Sequence, residues 1–221
     1  MPATVKQKVI ANYIVSGPSP EASPIPSVKA ADTYHHGDLR AALIVAAREA
    51  LETMPPDAVS LKSLAARLGV SQPAPYRHFG SRDALLAAVA ADGFERFHTL
   101  LTEAAAGATG GQEFEACCLA YVAFGRANMS VYRLMFASRL LQTSEDQALK
   151  LAASAAFDML VEGVTRYVPA ERVLATAIWV WSTLHGLVML DAEGLLSGPV
   201  ESHIEPIDVV RQTVAALERE G

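Results

Sequence analysis

The sequence predicts an all-α protein with about nine helices. From Asp38 onward, apolar residues recur with the three- and four-residue spacing of amphipathic helices. Helix caps and helix breakers separate these stretches, and none of them alternates apolar and polar residues as a half-buried strand does. We therefore expect a three-helix head at residues 36–82, followed by a larger helical domain at residues 83–221.

Composition and charge exclude several classes of protein. The chain has 221 residues, of which 51% are hydrophobic, so it can bury a core and general disorder is not expected. Its formal net charge of −6 argues against a protein that coats nucleic acid regardless of sequence. We find neither an apolar run long enough to span a membrane nor a secretory signal, so we expect a cytoplasmic protein.

The two cysteines, Cys117 and Cys118, are adjacent in the sequence. Neighbouring cysteines suit neither an ordinary structural disulfide nor a four-ligand zinc site, so we predict no metal and no cofactor. We interpret both as reduced helix residues. The alternative is that one of them is a redox sensor.

Residues 1–35 form a predicted N-terminal arm whose prolines, serines and alanines cannot build a core. A frayed tail and a short amphipathic helix are both open, because some of its apolar residues have helical spacing. A third alternative is an arm that touches the DNA backbone through Lys6, Lys8 and Lys29. The apolar residues with helical spacing are Val5, Val9, Ile10, Tyr13 and Ile14.

The first two helices are marked by their ends. The first begins near Asp38 and stops at Pro55 and Pro56, because proline lacks the N–H group that a helix interior needs. The second begins after Ser60, whose side chain is a good N-cap, and ends at Gly69, which readily adopts the left-handed conformation of a helix stop. Each helix carries one apolar face, so the two are expected to pack together.

A third helix is predicted over residues 71–79, with Ser71 as its cap. A fourth, much longer helix is predicted over residues 82–106, capped by Ser81. Pro73 and Pro75 fall in the third helix. We expect them to be tolerated, because the first N–H groups of a helix have no partner within it. Further helices are predicted at residues 113–128, 131–141, 144–167, 169–190 and 206–220.

The second and third helices form a helix-turn-helix, in which the third helix can lie in the major groove of DNA. Gln72 and Ala74 stand at its exposed start, where glutamine can bond to an adenine and an alanine methyl can contact a thymine methyl. Between residues 58 and 82 there are four basic residues and no acidic one. This local charge is expected of a sequence-specific DNA binder.

Phosphate contacts are predicted one turn later in the same motif. Tyr76, Arg77, His78 and Arg82 carry hydroxyl, guanidinium and imidazole donors suited to phosphate oxygens. The alternative for Tyr76 and His78 is that they pack against the first helix.

Residues 59–86 read VSLKSLAARLGVSQPAPYRHFGSRDALL, and this segment resembles the DNA-binding signature of the TetR family of bacterial repressors. With the first helix, the resemblance covers roughly residues 36–86. It implies base contacts from Lys62, Gln72 and Ala74, and it implies contacts with the DNA backbone from Ser60, Tyr76, His78 and Arg82. The predicted DNA-binding residues are Ser60, Lys62, Ser71, Gln72, Ala74, Tyr76, Arg77, His78 and Arg82.

The later helices hold many aromatic and methionine side chains, which either pack as a core or line a small-molecule pocket between helices. The pattern Trp181-x-x-x-His185-Gly186 resembles a subgroup of TetR-like C-terminal domains, and residues 132–136 fit the same subgroup. Core packing remains the alternative for His185. The predicted ligand-binding residues are Tyr121, Phe124, Met135, Phe157, Trp181 and His185.

The last two helices carry apolar faces that we expect a monomer to expose, which predicts a two-fold dimer built as a four-helix bundle. Such a dimer presents two reading helices ~34 to 36 Å apart or slightly more, so the operator should be a palindrome. The apolar residues are Ile178, Leu184, Val188, Val209, Val210, Val214 and Leu217.

Together these expectations describe a homodimeric, ligand-responsive transcriptional repressor that leaves its operator when a small apolar molecule shifts the long helix starting at Arg82. One alternative is an all-helical enzyme, but the sequence offers no His-x-x-x-His, nucleophile elbow or Gly-rich phosphate loop. Another is a DNA-binding regulator that responds to a protein partner or to no ligand. Activation rather than repression also stays open.

Overall fold

A computed structural model describes residues 39–109, 111–136, 139–197 and 204–219. Within these ranges the chain forms nine α-helices and three short 3-10 segments and has no strand, so the all-α prediction is confirmed. The predicted arm, with its alternative helix and its three lysines, lies outside the described residues. The α-helices are α1 (Leu39–Leu51), α2 (Leu61–Arg67), α3 (Arg82–Gly107), α4 (Glu113–Ala127), α5 (Met129–Phe136), α6 (Leu140–Thr143), α7 (Gln147–Val164), α8 (Val173–Ala192) and α9 (Pro206–Glu218). The 3-10 segments are Pro56–Ala58, Pro75–Arg77 and Leu195–Ser197.

Contacts divide the chain into two compact units. The first contains the residues up to Gly93 together with Ser130–Leu151, and the second contains Phe94–Met129 together with the residues from Ala152 onward. This division by contacts does not follow the boundary after residue 82 that the sequence suggests. Where the functional domains divide stays a prediction.

The predicted caps of the head are present. The hydroxyl oxygen of Ser60 accepts a hydrogen bond from the Ser63 N–H at 3.1 Å and so caps α2. Gly69 follows α2 with a φ of 67°, the left-handed conformation that glycine adopts without strain. The hydroxyl oxygen of Ser81 accepts from the Ala84 N–H at 3.1 Å at the start of α3.

The predicted third helix does not form as an α-helix. The N–H of Ala74 donates to the carbonyl of Ser71 at 3.0 Å, and the 3-10 segment Pro75–Arg77 follows. The prolines explain the difference: neither Pro73 nor Pro75 can donate a backbone hydrogen bond, and an α-helix capped by Ser71 would need one from residue 75. We call residues 71–79 the reading segment.

The reading segment is held by buried residues at its middle and its end. Pro75 is buried, and Phe79 is only 3% exposed. The segment packs against both α1 and α2, in which Leu43, Leu64 and Ala65 are fully or almost fully buried. Packing with these neighbours therefore takes over part of the role that helix hydrogen bonds usually have.

Deeper in the first unit, α3 and α5 approach each other closely at Gly93. A Cβ atom at this position would lie 2.8 Å from the sulfur of Met135 and 2.8 Å from a methyl of Val131. Only a residue without a side chain fits at that distance. Met135 is fully buried there.

Several helix boundaries differ from the sequence prediction, among them the start of α8 at Val173 rather than at residue 169. A single helix over residues 131–141 was expected, whereas α5 ends at Phe136 and the short α6 begins at Leu140. The helix expected from Ser144 begins at Gln147, because Asp146 is the capping residue: its carboxylate accepts from the Leu149 N–H at 3.0 Å. Ser144 instead accepts from the N–H of Asp146 at 3.1 Å.

In the second unit, α4, α8 and α9 pack on one another. The approach of α4 to α8 is close at Gly125, where a Cβ atom would lie 2.5 Å from a methyl of Val188. An ion pair of 2.8 Å between Arg126 and Asp191 joins the same two helices. By length and composition α8 could also cross a membrane, although core helices of soluble proteins meet the same criteria.

The contact between α4 and α8 yields a stability prediction. We expect Gly125→Ala to lower the free energy of unfolding by ~1–3 kcal/mol, because the added methyl overlaps the side chain of Val188. The double variant Gly125→Ala/Val188→Ala should lose less stability than the two single losses added together, because the smaller residue makes room. Urea denaturation of the four proteins measures this, and strictly additive losses would contradict the proposed overlap.

Candidate functional site

The reading segment exposes a short edge at its start. Gln72 and Pro73 are exposed, Ala74 is half-buried and Pro75 is buried. Gln72 is therefore open to a partner, as the sequence led us to expect, whereas Ala74 is less open than expected. Pro73 was not considered as a contact, because in an α-helix it would have been only a tolerated residue of the first turn.

The predicted phosphate donors of the reading segment lie on its surface. Tyr76 is 55% exposed, and Arg77 and His78 are exposed as well. Phe79 and Pro75 occupy the buried positions of the segment, so the exposure of Tyr76 and His78 favours phosphate contacts over packing against the first helix. Three consecutive exposed side chains of this segment thus carry hydrogen-bond donors.

Arg82, the first residue of α3, already contacts two carboxylates. Its guanidinium donates to Asp83 at 3.3 Å and to the backbone carbonyl of Asp57 at 3.3 Å, and it lies 4.0 Å from the Asp57 carboxylate. Both acidic side chains are largely exposed, and exposed ion pairs of this kind contribute only ~0–1 kcal/mol. A phosphate oxygen can therefore replace them at little cost.

The remaining predicted DNA-binding residues lie at the start of α2 and of the reading segment. Lys62 is exposed in the first turn of α2. The hydroxyl of Ser60 is engaged in the helix cap, where it also donates to the hydroxyl of Ser63 at 2.9 Å. Ser71 is exposed, and its carbonyl, rather than its side chain, accepts the hydrogen bond from Ala74.

Two ion pairs join the helices that carry these residues. Arg67 on α2 is paired with Glu49 on α1. Arg48 on α1 donates to Asp92 on α3 at 2.8 Å, in a partly buried pair. These pairs join α1 to α2 and α3, and the exposed pair of Arg67 and Glu49 contributes only ~0–1 kcal/mol to stability.

The predicted ligand-binding residues fall into separate groups. In the second unit, Tyr121 and Phe124 of α4 both meet Phe97 edge to face, each with ring centroids 5.1 Å apart. Phe157 of α7 meets Trp181 of α8 in the same manner at 5.8 Å. Met135 belongs to the first unit, where it contacts Gly93 as described above.

His185 lies one turn after Trp181 on α8 and is half-buried. Burial lowers its pKa from the ordinary value of 6.5, because the charged imidazolium is poorly solvated there. At neutral pH the ring is therefore uncharged, with one donor nitrogen and one acceptor nitrogen. It is a polar group beside an aromatic cluster.

The two cysteines lack the properties of a redox sensor. Burial raises the pKa of Cys118 to about 12, and it also raises the pKa of Cys117. The sulfur of Cys117 lies 3.4 Å from the carbonyl of Leu101. Since the thiolate is the reactive form, both thiols are poor nucleophiles at neutral pH. In the described part of the chain no group of three or more His, Cys, Asp or Glu residues could hold a metal ion.

The last two helices present apolar side chains to solvent, but these are mostly not the ones expected. Five residues assigned to the exposed faces are buried in the second unit, and Ile178 and Val209 are half-buried. The buried ones are Leu184, Val188, Val210, Val214 and Leu217. On α8 the prediction failed because the helix is apolar on all sides, so its spacing does not show which side faces the core. On α9 the spacing does mark one apolar side, but that side packs on α4 and α8 within the same chain.

The exposed apolar surface is formed by other residues of the same region, which we call the outer surface. Trp179 is 45% exposed and Leu190 is 44% exposed on α8. Between them, Gly186 has no atom within 4 Å of the position that a Cβ would take. The other large exposed apolar residues near these helices are Leu195, Ile204 and Ile207.

Two family models match the chain. One, described as bacterial regulatory proteins of the tetR family, matches residues 43–89. The other, described as a tetracyclin repressor-like C-terminal domain, matches residues 114–217. No curated protein matches the chain.

Solved structures resemble the chain over most of its length. A protein of unknown function from Rhodococcus sp. RHA1 is 31% identical, with a TM-score of 0.72, and the match covers 84% of this chain and 96% of that one. A bacterial regulatory protein in the tetR family from Rhodococcus RHA1 is 19% identical, with a TM-score of 0.59 and coverage of 82% and 96%. The fatty acid degradation regulator FadR from Bacillus halodurans is 13% identical, with a TM-score of 0.57 and coverage of 84% and 96%.

These matches agree with the geometry of the head. One family model covers α1 from residue 43, α2, the reading segment and the start of α3, and the other covers nearly all of α4 to α9. The members of this family are DNA-binding transcriptional regulators and not enzymes, which sets aside the all-helical enzyme. The chain belongs to the tetR family of bacterial regulatory proteins.

Proposed function

We propose that this regulator is a repressor that binds a palindromic operator in the cytoplasm as a homodimer and is released by a small apolar molecule. The observation that carries the proposal is the reading segment, with its exposed edge at Gln72 and Pro73 and its exposed donors at Tyr76, Arg77 and His78. We assign DNA binding to residues 36–82, and effector binding and dimerisation to residues 83–221.

Sequence would be read at the exposed start of the segment. The amide of Gln72 can bond to N6 and N7 of an adenine at once, and a good pair of this kind discriminates against the wrong base by ~1–3 kcal/mol. The ring of Pro73 adds an apolar surface beside it that suits a thymine methyl. Because Pro73 and Pro75 fix their own φ angles, part of the ordering cost is met in the free protein.

Affinity would come from the donors that follow. Tyr76, Arg77 and His78 suit phosphate oxygens on one side of the groove, and Lys62 adds a charge from α2. Arg82 would exchange its exposed carboxylate partners for a phosphate. These contacts carry little sequence information, so they would determine the affinity for DNA and the position of the protein along it.

Selection of bound sequences from a random duplex pool at about 0.15 M salt tests the repressor proposal. We expect the protein to recover a palindrome. Gln72→Ala should cost ~1–3 kcal/mol and relax the preference at one base pair per half-site, whereas Tyr76→Phe and Arg82→Ala should weaken binding to all sequences alike.

Three results would contradict parts of this proposal. Recovery of no sequence above background would contradict operator binding by the ligand-free protein. Recovery of a site without two-fold symmetry would contradict the symmetric dimer. An unchanged base preference in Gln72→Ala would mean that the reading edge is misassigned, while the binding itself could stand.

A second copy of the chain is the proposed partner of the outer surface. One side of α8 forms the core with α4 and α9, while Trp179 and Leu190 place large apolar groups in solvent. A two-fold axis beside α8 would cover these side chains with their own copies, and two-fold pairing is also what a palindromic site requires. Gly186 would let the two backbones approach closely at the centre.

Gly186→Leu tests the dimer. Within one chain the new side chain meets open space, so folding should be unaffected, but it would separate the two copies of α8. We expect a folded monomer by sedimentation and circular dichroism. Gly107→Leu is the matched control, because a Cβ at that position also meets nothing within 4 Å, and it should remain dimeric. A Gly186→Leu protein that dimerises as tightly as the native one would disprove this interface.

The effector site is proposed for the aromatic clusters of the second unit. Phe97, Tyr121 and Phe124 form one cluster, and Phe157 and Trp181 form another, with the uncharged ring of His185 one turn away. The polar groups of these clusters, the Tyr121 hydroxyl, the Trp181 indole N–H and the His185 ring, are all uncharged at neutral pH, which suits a largely apolar molecule. Because one structural relative is described as a regulator of fatty acid degradation, fatty acids are the first probes to try.

Tryptophan fluorescence can locate the effector. The chain has two tryptophans, so Trp179→Phe leaves Trp181 as the only reporter. We expect an effector to change the Trp181 emission over the same concentrations at which it releases operator DNA. Phe157→Ala should weaken both effects together, because Phe157 contacts the reporter ring.

Two outcomes would overturn the effector site. If an effector released operator DNA without changing the Trp181 emission, and Phe157→Ala kept full sensitivity to that effector, the effector would bind at another site. Release by none of a broad panel of apolar molecules would favour a regulator that responds to a protein partner or to no ligand.

The coupling would pass along α3. This helix has 26 residues, begins at Arg82 beside the reading segment, and continues past Gly93 into the second unit. A shift of α3 on effector binding would move Arg82 and change the separation of the two heads. A coupling free energy of ~1–3 kcal/mol is enough to change DNA affinity ~5- to 150-fold.

A further inference from the structure

Arg40, in the first turn of α1, contacts the end of the reading segment. The central carbon of its guanidinium lies 5.3 Å from the centre of the Phe79 ring. Phe79 is 3% exposed, whereas Arg40 is an exposed residue. The charged group therefore lies at the surface above a buried ring, at the point where the reading segment ends.

Within the described residues, the donors of Arg40 are available. A guanidinium that contacts a ring in this way uses its attraction to the π-system, and its N–H groups lie in the plane of the group. The other two arginines of α1 and α2 are different, because Arg48 is paired with Asp92 and Arg67 with Glu49. In the described part of the chain, the contact of Arg40 is with a ring and not with a carboxylate.

In the sequence, Phe79 is flanked by the proposed phosphate donors. His78 and Arg77 directly precede Phe79, and Arg82 follows it by three residues. The guanidinium of Arg40 therefore adds positive charge from α1 to the end of the segment that already carries these groups. A fixed guanidinium can bond a phosphate through two parallel N–H groups.

We propose that Arg40 is a further DNA-binding residue, which contacts a backbone phosphate next to those bound by Arg77 and His78 and is oriented for this by the ring of Phe79. The inference rests on the proposed operator binding by the reading segment. The role of Arg40 is independent of base sequence, so Arg40 contributes to DNA affinity and not to sequence recognition. The competing explanation is that Arg40 only covers Phe79 and stabilises the fold.

The dependence of DNA affinity on salt separates the two explanations. Arg40→Met removes the charge but keeps an unbranched side chain that can pack against the ring through its sulfur. The slope of log affinity against log salt concentration should become shallower by about 0.9 per protomer, or about 1.8 for a dimer. The change should be the same for the selected operator and for random duplex, and the base preference should stay as it is.

Three further variants complete the experiment. Arg40→Gln is a second neutral variant that serves if the methionine variant fails to fold. Arg40→Lys should keep the native slope, because it keeps the charge, although it should bind more weakly without the planar fork. Arg219→Met removes an exposed arginine at the end of α9 and should leave the slope unchanged.

The outcomes are distinct. A native slope in Arg40→Met or Arg40→Gln, with only a lower melting temperature, would overturn the phosphate contact and leave a structural role. The operator proposal would survive that result. If the native protein binds neither the operator pool nor random duplex, the proposed function fails and the role of Arg40 fails with it.

Discussion

The head of this regulator depends on the burial of one proline. The reading segment contains two residues that cannot donate backbone hydrogen bonds, so it cannot be held as an ordinary helix is held. Pro75 is instead inserted among α1 and α2, and Phe79 closes the far end under the guanidinium of Arg40. The shape of the reading segment is therefore imposed by the helices against which it packs.

Local signals in the sequence were sufficient for most of the helices. Ser60, Gly69 and Ser81 each act within three or four residues of their own position, so their roles follow from the sequence alone. The third helix was predicted wrongly because its prolines were assumed to occupy a tolerant first turn. Pro75 is the fifth residue of that segment, beyond the positions where a missing N–H group costs nothing.

The candidate site was predictable only where one segment determines it. Gln72, Tyr76, Arg77 and His78 are exposed because the segment that contains them has one buried side, which the motif itself indicates. Arg40 was missed because its contact joins α1 to Phe79, far along the chain, and no spacing rule reports such a pair. On α8 the exposed side was misassigned for a different reason: a helix that is apolar on every side gives no sign of which side faces the core.

The apolar character of α8 also concerns the amount of protein in the cell. In the proposed dimer, a second copy would cover the outer surface only above the concentration at which two chains associate, so folding stability would rise with protein level. Newly made chains below that concentration would leave tryptophan and leucine side chains in water and would be the ones that proteases and chaperones encounter. The same surface would then set a lower limit on the abundance at which this regulator persists, separate from any limit set by its affinity for DNA.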